Sequence, residues 1–134
     1  MSVLVGYIPT PVGEAAAQAA IAEARLRGEK LLVVNSVREG ALVDKSVASE
    51  DDLSRIAADA AAAGVDASIL TPTYSADLAE EVLALAEAYD VSLIVIGLRQ
   101  RTQVGKFIMG SHAQRILLQA DRPVLAVKAG RDGH

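Results

Sequence analysis

The segment with the most evident chemical potential is GLRQRTQVGKFIMGSHAQ, residues 97–114, which contains three glycines, three cations and Ser111. It follows an apolar run and leads into an amphipathic stretch that begins at Gly110. The N-terminus of a helix presents free backbone N–H groups and the positive end of the helix dipole, and both favour a phosphate. The Ser111 hydroxyl can donate a further hydrogen bond to a phosphate oxygen. These residue types in this order therefore indicate an anion site.

The same segment also fits a simpler interpretation as a basic loop between a strand and a helix. In that case Gly110 and Ser111 only begin the helix, and the cations are solvated. In the anion-site interpretation as well, Gly97 is expected to end the preceding strand and to let the backbone turn without the steric cost of a Cβ atom. Glycine-bearing loops of this kind are common, so the spacing alone leaves both interpretations open.

No catalytic or metal-binding group is evident in the sequence. Ser111 and His112 are neighbours, and neighbours on a helix diverge by about 100°, so they cannot form a nucleophile–base pair. The chain has no cysteine, and its two histidines lie in unrelated contexts, so no metal site is recognisable. Paired carboxylates on facing loops are not apparent either. The sequence thus predicts no catalytic residue and no metal ligand.

The elements that must position the basic segment alternate regularly along the chain. Five short apolar runs predict strands at residues 3–8, 30–37, 66–71, 91–97 and 122–128. The stretches between them predict helices, the first with Thr10 as N-cap, Pro11 as first residue and an end at Gly28. This order predicts a parallel sheet covered by helices on both faces. Ligands of such sheets bind beyond the carboxyl ends of the strands, which makes the loops after the first and fourth strands the expected site.

The apolar spacing also predicts which helix faces are buried. The predicted core faces of the second and third helices carry Leu53, Ile56, Ala57 and Ala60, and Leu78, Val82, Leu85 and Tyr89. The acidic run Glu50–Asp52 is expected at a helix N-terminus, where negative charge is favourable.

Length and charge bound the class of protein. The 134 residues fit one domain, expected at 1–130 with a flexible tail at 131–134. A net charge of −4 favours neither nucleic-acid nor membrane-surface binding, and no apolar run reaches the length of a membrane span. No signal peptide is visible, so the expected location is cytoplasmic.

The chain as a whole, roughly residues 2–128, resembles a single-domain universal stress protein. The resemblance is carried by VLVGY at strand 1, LLVVNSV at strand 2, VSLIVIGLR at strand 4, VGKFIMGSHAQRIL and RPVLAVK. It implies an α/β, Rossmann-like fold: a three-layer, open, parallel five-stranded sheet of order 3-2-1-4-5. It also implies a homodimer that pairs through strand 122–128.

ATP-binding members of that family carry Gly, two residues, Gly, nine residues, Gly, then Ser or Thr, and this chain fits the pattern in part. Gly97, Gly110 and Ser111 match, but Gln100 stands at the second glycine. If that position needs a left-handed backbone, a side chain costs roughly 1–2 kcal/mol there. Ile8 stands where nucleotide-binding relatives usually have an aspartate directed at the adenine. An isoleucine cannot accept a hydrogen bond from the base, but it can pack against the ring.

Three hypotheses for function follow from the resemblance. In the first, the protein binds ATP (with Mg²⁺) or AMP, the base being held by backbone groups near residues 34–36 and at Ile96. The expected site residues are Ile8, Pro9, Thr10, Ser36, Ile96, Gly97, Arg99, Gln100, Gly110, Ser111, His112 and Ala113. In the second, the protein has no nucleotide and acts through dimerisation and partner contacts. In the third, the pocket takes another small anion or an apolar ligand beside Ile8. A non-enzymatic stress-response role is expected, with a weak ATPase as the alternative.

Overall fold

The computed structural model describes residues 1–8, 10–35, 37–38, 50–71, 73–74, 78–98 and 111–128. The strands are β1 (Ser2–Gly6), β2 (Lys30–Val34), β3 (Val37–Arg38), β4 (Ala67–Leu70), β5 (Thr73–Tyr74), β6 (Leu93–Leu98) and β7 (Val124–Lys128). The helices are α1 (Pro11–Arg27), α2 (Glu50–Ala62), α3 (Leu78–Ala88) and α4 (Ser111–Gln119).

Five of the strands form one parallel sheet in the order β4-β2-β1-β6-β7. Counted among these five strands alone, this is the predicted order 3-2-1-4-5, so the predicted fold is confirmed. β1 lies at the centre, where Val5 is opposite Val33 on one side and Val95 on the other. The strand order reverses at β1, because the chain adds β2 and β4 on one side of it and β6 and β7 on the other.

The second and third predicted strands are shorter than expected, and each is followed by a separate short strand. β2 stops at Val34 and β4 at Leu70, while β3 and β5 pair with each other in a second, two-stranded parallel sheet. Val34 is opposite Leu70 and Val37 is opposite Thr73, so the register is the same on both sides of the break. Position 72 is a proline, which has no N–H to donate to a ladder.

Helices cover both faces of the sheet, because successive side chains of its strands point to opposite sides. Val3 and Val5 pack with α1 and α2, whereas Leu4 packs with α3 and α4. Each large apolar side chain buried in this way stabilises the fold by about 1.5–3 kcal/mol. The buried face of α1 is different, since it consists mainly of alanines, which let the helix lie close to the sheet.

The ends of α1 match the prediction, and one face prediction is wrong. Thr10 is the N-cap, Pro11 follows it, and Gly28 ends the helix in the left-handed region at φ 66°. On α3 the buried residues include Val82, as predicted, but Tyr89 is 48% exposed. The helix ends at Ala88, before Tyr89, and the chain then turns through Asp90, which has a φ of 51°.

Candidate functional site

The carboxyl ends of β1 and β6 lie side by side at the point where the strand order reverses. The two strands are parallel neighbours, so the segments that follow them leave the sheet at the same edge. Ile96 is buried close to this edge, and Gly97 is half-buried after it. The first turn of α1 occupies the same edge, because only residues 7–10 separate it from β1 and the helix returns over β6. This is the position at which open parallel sheets bind their ligands.

Two glycines allow the backbone to pack unusually closely at this edge. A Cβ atom on Gly97 would lie 2.2 Å from Cγ1 of Val12 and 3.0 Å from its carbonyl oxygen. A Cβ atom on Gly13 would lie 1.7 Å from the carbonyl oxygen of Ile8. A side chain at either position would therefore push the first turn of α1 away from the strand ends.

The role predicted for Gly97 needs correction. The sequence suggested that Gly97 ends the strand and permits a turn, but β6 continues through it to Leu98. Gly97 is absent from the described glycines with positive φ, which are Gly28 and Gly64. A glycine is required at position 97 because Val12 lies too close to its backbone to leave room for a Cβ atom. Gly13 was not identified from the sequence. A glycine in the first turn of a helix lowers helix propensity, and its presence there could have indicated a close backbone contact.

The segment between β1 and α1 is held by its own hydrogen bonds. The Thr10 side chain accepts a hydrogen bond from the Gly13 N–H at 3.0 Å, which is the predicted N-cap interaction. The Thr10 N–H donates to the Ile8 carbonyl at 2.8 Å, and the Glu14 N–H donates to the Thr10 carbonyl at 2.8 Å. Ile8 itself is half-buried. The Thr10 hydroxyl still has its proton, which it can donate to a neighbouring group.

The last predicted part of the site is the start of α4. The helix begins at Ser111, with His112 second and Ala113 third. Ala113 packs against the apolar cluster that contains Ile96, so α4 starts on the sheet face opposite α1. Five predicted site residues lie outside the described part of the chain: Pro9, Ser36, Arg99, Gln100 and Gly110. The side chains of Ser111 and His112 also lie outside it.

Two backbone groups at the end of β2 are already paired within the fold. The Val34 carbonyl accepts a hydrogen bond from the Tyr7 N–H at 3.0 Å, and the Asn35 N–H donates to the Leu70 carbonyl at 2.7 Å. These two groups therefore form hydrogen bonds within the fold, in the stretch where the sequence predicted backbone contacts to a base.

A polar cluster beside the site was not foreseen from the sequence. Tyr7 is 2% exposed, and its hydroxyl donates to the Glu14 carboxylate. Arg55 of α2 donates two hydrogen bonds to the same carboxylate, from Nη1 to Oε1 at 2.8 Å and from Nη2 to Oε2 at 2.6 Å. Arg55 Nη2 also lies 3.5 Å from Oδ1 of Asp52. No local pattern could show this, because Glu14 and Arg55 are 41 residues apart.

These contacts shift the pKa values of the two acidic groups in opposite directions. The Arg55 hydrogen bonds lower the pKa of the Glu14 carboxyl, with the Tyr7 hydrogen bond acting in the same sense. Burial and the hydrogen bond to Glu14 raise the pKa of the Tyr7 hydroxyl. Glu14 is therefore ionised and Tyr7 is neutral at physiological pH, which is the arrangement that makes Tyr7 the donor.

Two features of the described residues bear on other classes of site. Among them, no cluster of three or more histidine, aspartate or glutamate side chains is placed to hold a metal ion. A shallow groove of about 600 Å³ lies between α1 and the end of α2, lined by Gln18, Ile21, Ala22, Arg25, Leu26 and Ala63. This groove is remote from the carboxyl ends of the strands, and among the described residues Gln18 and Arg25 are its only polar lining residues. It is therefore a weaker candidate for a ligand site than the edge formed by β1 and β6.

No helix in the described part of the chain combines the length and apolar character needed to cross a membrane.

Comparison with known proteins identifies relatives along nearly the whole chain. A model of the universal stress protein family matches residues 1–128. A universal stress protein of Mycolicibacterium smegmatis is 40% identical over 126 residues, which cover 94% of this chain and 96% of that protein.

Solved structures share the fold. A universal stress protein from Archaeoglobus fulgidus has a TM-score of 0.80 at 28% identity, covering 96% of this chain and 98% of that one. The universal stress protein from Archaeoglobus fulgidus in complex with dAMP has a TM-score of 0.70 at 23% identity, with the same coverage. A universal stress protein in complex with cAMP has a TM-score of 0.76 at 19% identity, covering 97% of this chain and 98% of that one.

Proposed function

This chain belongs to the universal stress protein family, and from that premise we propose that it is a non-enzymatic stress-response protein that binds ATP or AMP. The site is the edge of the sheet formed by the carboxyl ends of β1 and β6. The observation that carries the proposal is the close packing of Val12 against Gly97, which brings the first turn of α1 onto the end of β6 at the switch point of the sheet.

The ligands of two relatives support an adenine nucleotide over another small anion. One structure of the same fold is a complex with dAMP and another is a complex with cAMP. Both ligands combine an adenine with a phosphate group. The site proposed here offers apolar packing for a ring at Ile8 and a helix start for a phosphate at Ser111.

The site residues are assigned to the two ends of the nucleotide. Ile8, Pro9, Ser36 and the backbone at Ile96 take the base, with Ile8 packing against the ring. Gly97, Arg99, Gln100, Gly110, Ser111, His112 and Ala113 surround the phosphates. The Thr10 hydroxyl accepts a hydrogen bond from the Gly13 N–H and keeps its own proton, which it can donate to the ligand. When ATP is bound, a Mg²⁺ ion held by its phosphates is expected to accompany it.

A second candidate function is that of a member that carries no nucleotide and acts through dimerisation, for which β7 supplies a surface. This strand lies at the edge of the sheet, and its residues Val124–Val127 are only partly buried. A second copy of the chain would cover them, so a homodimer through β7 belongs to both candidate functions. The proposal further takes residues 1–130 as one domain, 131–134 as a tail, and the cytoplasm as the location.

The experiment that separates the candidates starts from the purified protein. It is denatured, and the released small molecules are identified by mass spectrometry. The ligand-free, refolded protein is then titrated with ATP and with AMP by calorimetry, with and without Mg²⁺. Saturable binding of either nucleotide supports the first candidate. An empty preparation that also takes up neither nucleotide contradicts it. Phosphate release measured alongside tests the weak ATPase alternative.

A further inference from the structure

One side-chain hydrogen bond joins the two ends of the segment 8–13, which contains the proposed ligand contacts Ile8, Pro9 and Thr10. Tyr7 immediately precedes the segment and Glu14 immediately follows it, and the Tyr7 hydroxyl donates to the Glu14 carboxylate. We call this pair, together with Arg55, the clasp. Since Tyr7 is 2% exposed, water competes little for its hydroxyl.

The clasp is anchored to a neighbouring element. Arg55 of α2 binds both oxygens of the Glu14 carboxylate, at 2.8 and 2.6 Å, in the two-pronged geometry that gives the strongest carboxylate pairs. Arg55 is in turn 3.5 Å from Asp52. The start of α1 is thereby tied to the end of β1 through Tyr7 and to α2 through Arg55.

The chain provides an internal comparison for this arrangement. One helical turn further along both helices, Gln18 of α1 donates to Asp59 of α2 at 3.0 Å. This second pair also links α1 to α2, but it joins the two helices directly and does not involve Tyr7 or the segment 8–13. A role limited to holding the two helices together would be shared by both pairs, whereas a role in shaping the segment would belong to the clasp alone.

We propose that Glu14 is a positioning residue, which Tyr7 and Arg55 hold in place so that Ile8 and residues 10–13 keep one conformation for the ligand. The effect on the ligand rests on the proposed function; the effect on the segment does not. The segment is closely packed at both strand ends, because the Ile8 carbonyl lies against Gly13 and Val12 lies against Gly97. We therefore expect a shift of Glu14 to displace both contacts.

The test compares Tyr7→Phe and Glu14→Gln with the control Asp59→Asn. Tyr7→Phe removes one hydroxyl and keeps the ring, so it retains the packing of the core. The first readout is amide hydrogen exchange in the ligand-free protein. We expect faster exchange at Thr10, at Gly13 and at position 14 in the two clasp variants, because these N–H groups make the hydrogen bonds of the segment. The control should leave their exchange unchanged.

The second readout is the dissociation constant for ATP, measured by calorimetric titration. We expect about fivefold weaker binding in each clasp variant, equivalent to the loss of one hydrogen bond of roughly 1 kcal/mol, and unchanged binding in Asp59→Asn. Unchanged exchange in both clasp variants would overturn the proposal. Faster exchange with unchanged ATP affinity would also overturn it, because the segment would then not position the ligand.

The two proposals fail in different ways. If the parent protein binds neither ATP nor AMP, the proposed function fails, and the exchange measurement alone then decides whether the clasp holds the segment. If Asp59→Asn accelerates exchange at Thr10 and Gly13 as much as Glu14→Gln does, the clasp is part of general helix packing, and the positioning role is wrong.

Discussion

At the scale of single residues, glycines determine how closely α1 approaches the sheet edge, and this can be tested with a matched pair. In Gly97→Ala the new Cβ would lie 2.2 Å from Val12 Cγ1, so the helix or the strand must move. We expect a loss of about 1–3 kcal/mol in the free energy of unfolding, as is typical of overpacking. In the control Gly6→Ala the nearest atom is Val82 Cγ2 at 3.9 Å, an ordinary contact. Urea unfolding of both variants checks the prediction, which equal losses would contradict.

A second residue-scale prediction concerns base recognition. Ile8→Asp places a carboxylate where nucleotide-binding relatives are expected to have one, so we predict a gain in ATP affinity over GTP. The same change should lower stability, because Ile8 is half-buried and the new charge must be solvated or paired. Titration with both nucleotides tests the first effect and urea unfolding the second. Ile8→Asn, a polar control without charge, shows whether the charge is responsible. ATP affinity no better than that of the parent would show that Ile8 does not limit recognition.

The clasp gives a pH dependence at the same scale. Because the pKa of Glu14 is lowered from its ordinary 4.5, folding favours its ionised form. The contribution is fully present above pH 4.5 and is lost as the pH falls through the lowered value. Tyr7 has the opposite effect on the pH dependence of stability, because its pKa is raised. Its contribution to the free energy of unfolding is fully present below pH 10.0 and is lost as the pH rises through the raised value. Asp52 and Arg55 are the charged neighbours in the same cluster.

Unfolding free energies measured across the pH range test this assignment. Glu14→Gln should flatten the acid limb relative to the parent, and Tyr7→Phe should flatten the alkaline limb. Parent-like slopes in both variants would show that these groups do not titrate with folding.

Local residue chemistry made some of these features predictable and left others hidden. Thr10, Pro11 and Gly28 act within one helical turn of their own positions, so their capping roles could be predicted from spacing. Gly97 was recognised, but for the wrong reason, since its neighbour Val12 is distant in sequence. The partnership of Glu14 with Arg55 was unpredictable for the same reason: it requires the packing of α1 against α2.

At the scale of elements, the start of α4 carries the phosphate hypothesis. If backbone N–H groups at Gly110 and Ser111 hold the phosphates, Gly110→Asp should abolish ATP binding through charge repulsion and bulk, with the fold intact. The control Gln119→Glu adds the same charge at the exposed far end of the helix. Calorimetric titration measures affinity, and circular dichroism checks the fold. Unchanged ATP affinity in Gly110→Asp would remove the phosphate site from α4.

The existence and order of the main elements followed from apolar runs and turn residues, but their ends did not. The second strand was predicted to residue 37, yet the ladder breaks after Val34 and resumes as β3 and β5. An apolar run in the sequence does not show where the neighbouring strand of the sheet stops pairing with it. Tyr89 was assigned to the core face of α3 by period alone, but the helix ends one residue earlier. Both errors lie at element boundaries, where tertiary pairing overrides local pattern.

At the scale of the whole molecule, the alternation of strands and helices predicted a parallel sheet with two covered faces, but the strand order came from the family resemblance. That order has a consequence for assembly, because it leaves β7 with a strand partner on one side only among the described residues. The Ile94 N–H donates to the Pro123 carbonyl at 3.0 Å, so the backbone carbonyl of Pro123 points toward β6. Backbone groups alternate along a strand, and those of Val124 and Ala126 therefore point to the open edge.

The final prediction is that two copies of the chain pair through this edge. Antiparallel pairing of β7 with its own copy would satisfy the outward N–H and C=O groups under two-fold symmetry. It would also cover the partly buried Val124, Leu125 and Val127, each burial contributing on the order of 1 kcal/mol or more. Ala126→Pro removes an outward donor while keeping the hydrogen bonds to β6, so it should shift the dimer toward monomer. Ala126→Ser retains the N–H and should remain dimeric. Analytical ultracentrifugation at micromolar concentration measures the oligomeric state of the parent and of both variants. A parent protein that sediments as a monomer would contradict the predicted dimer before any variant is made.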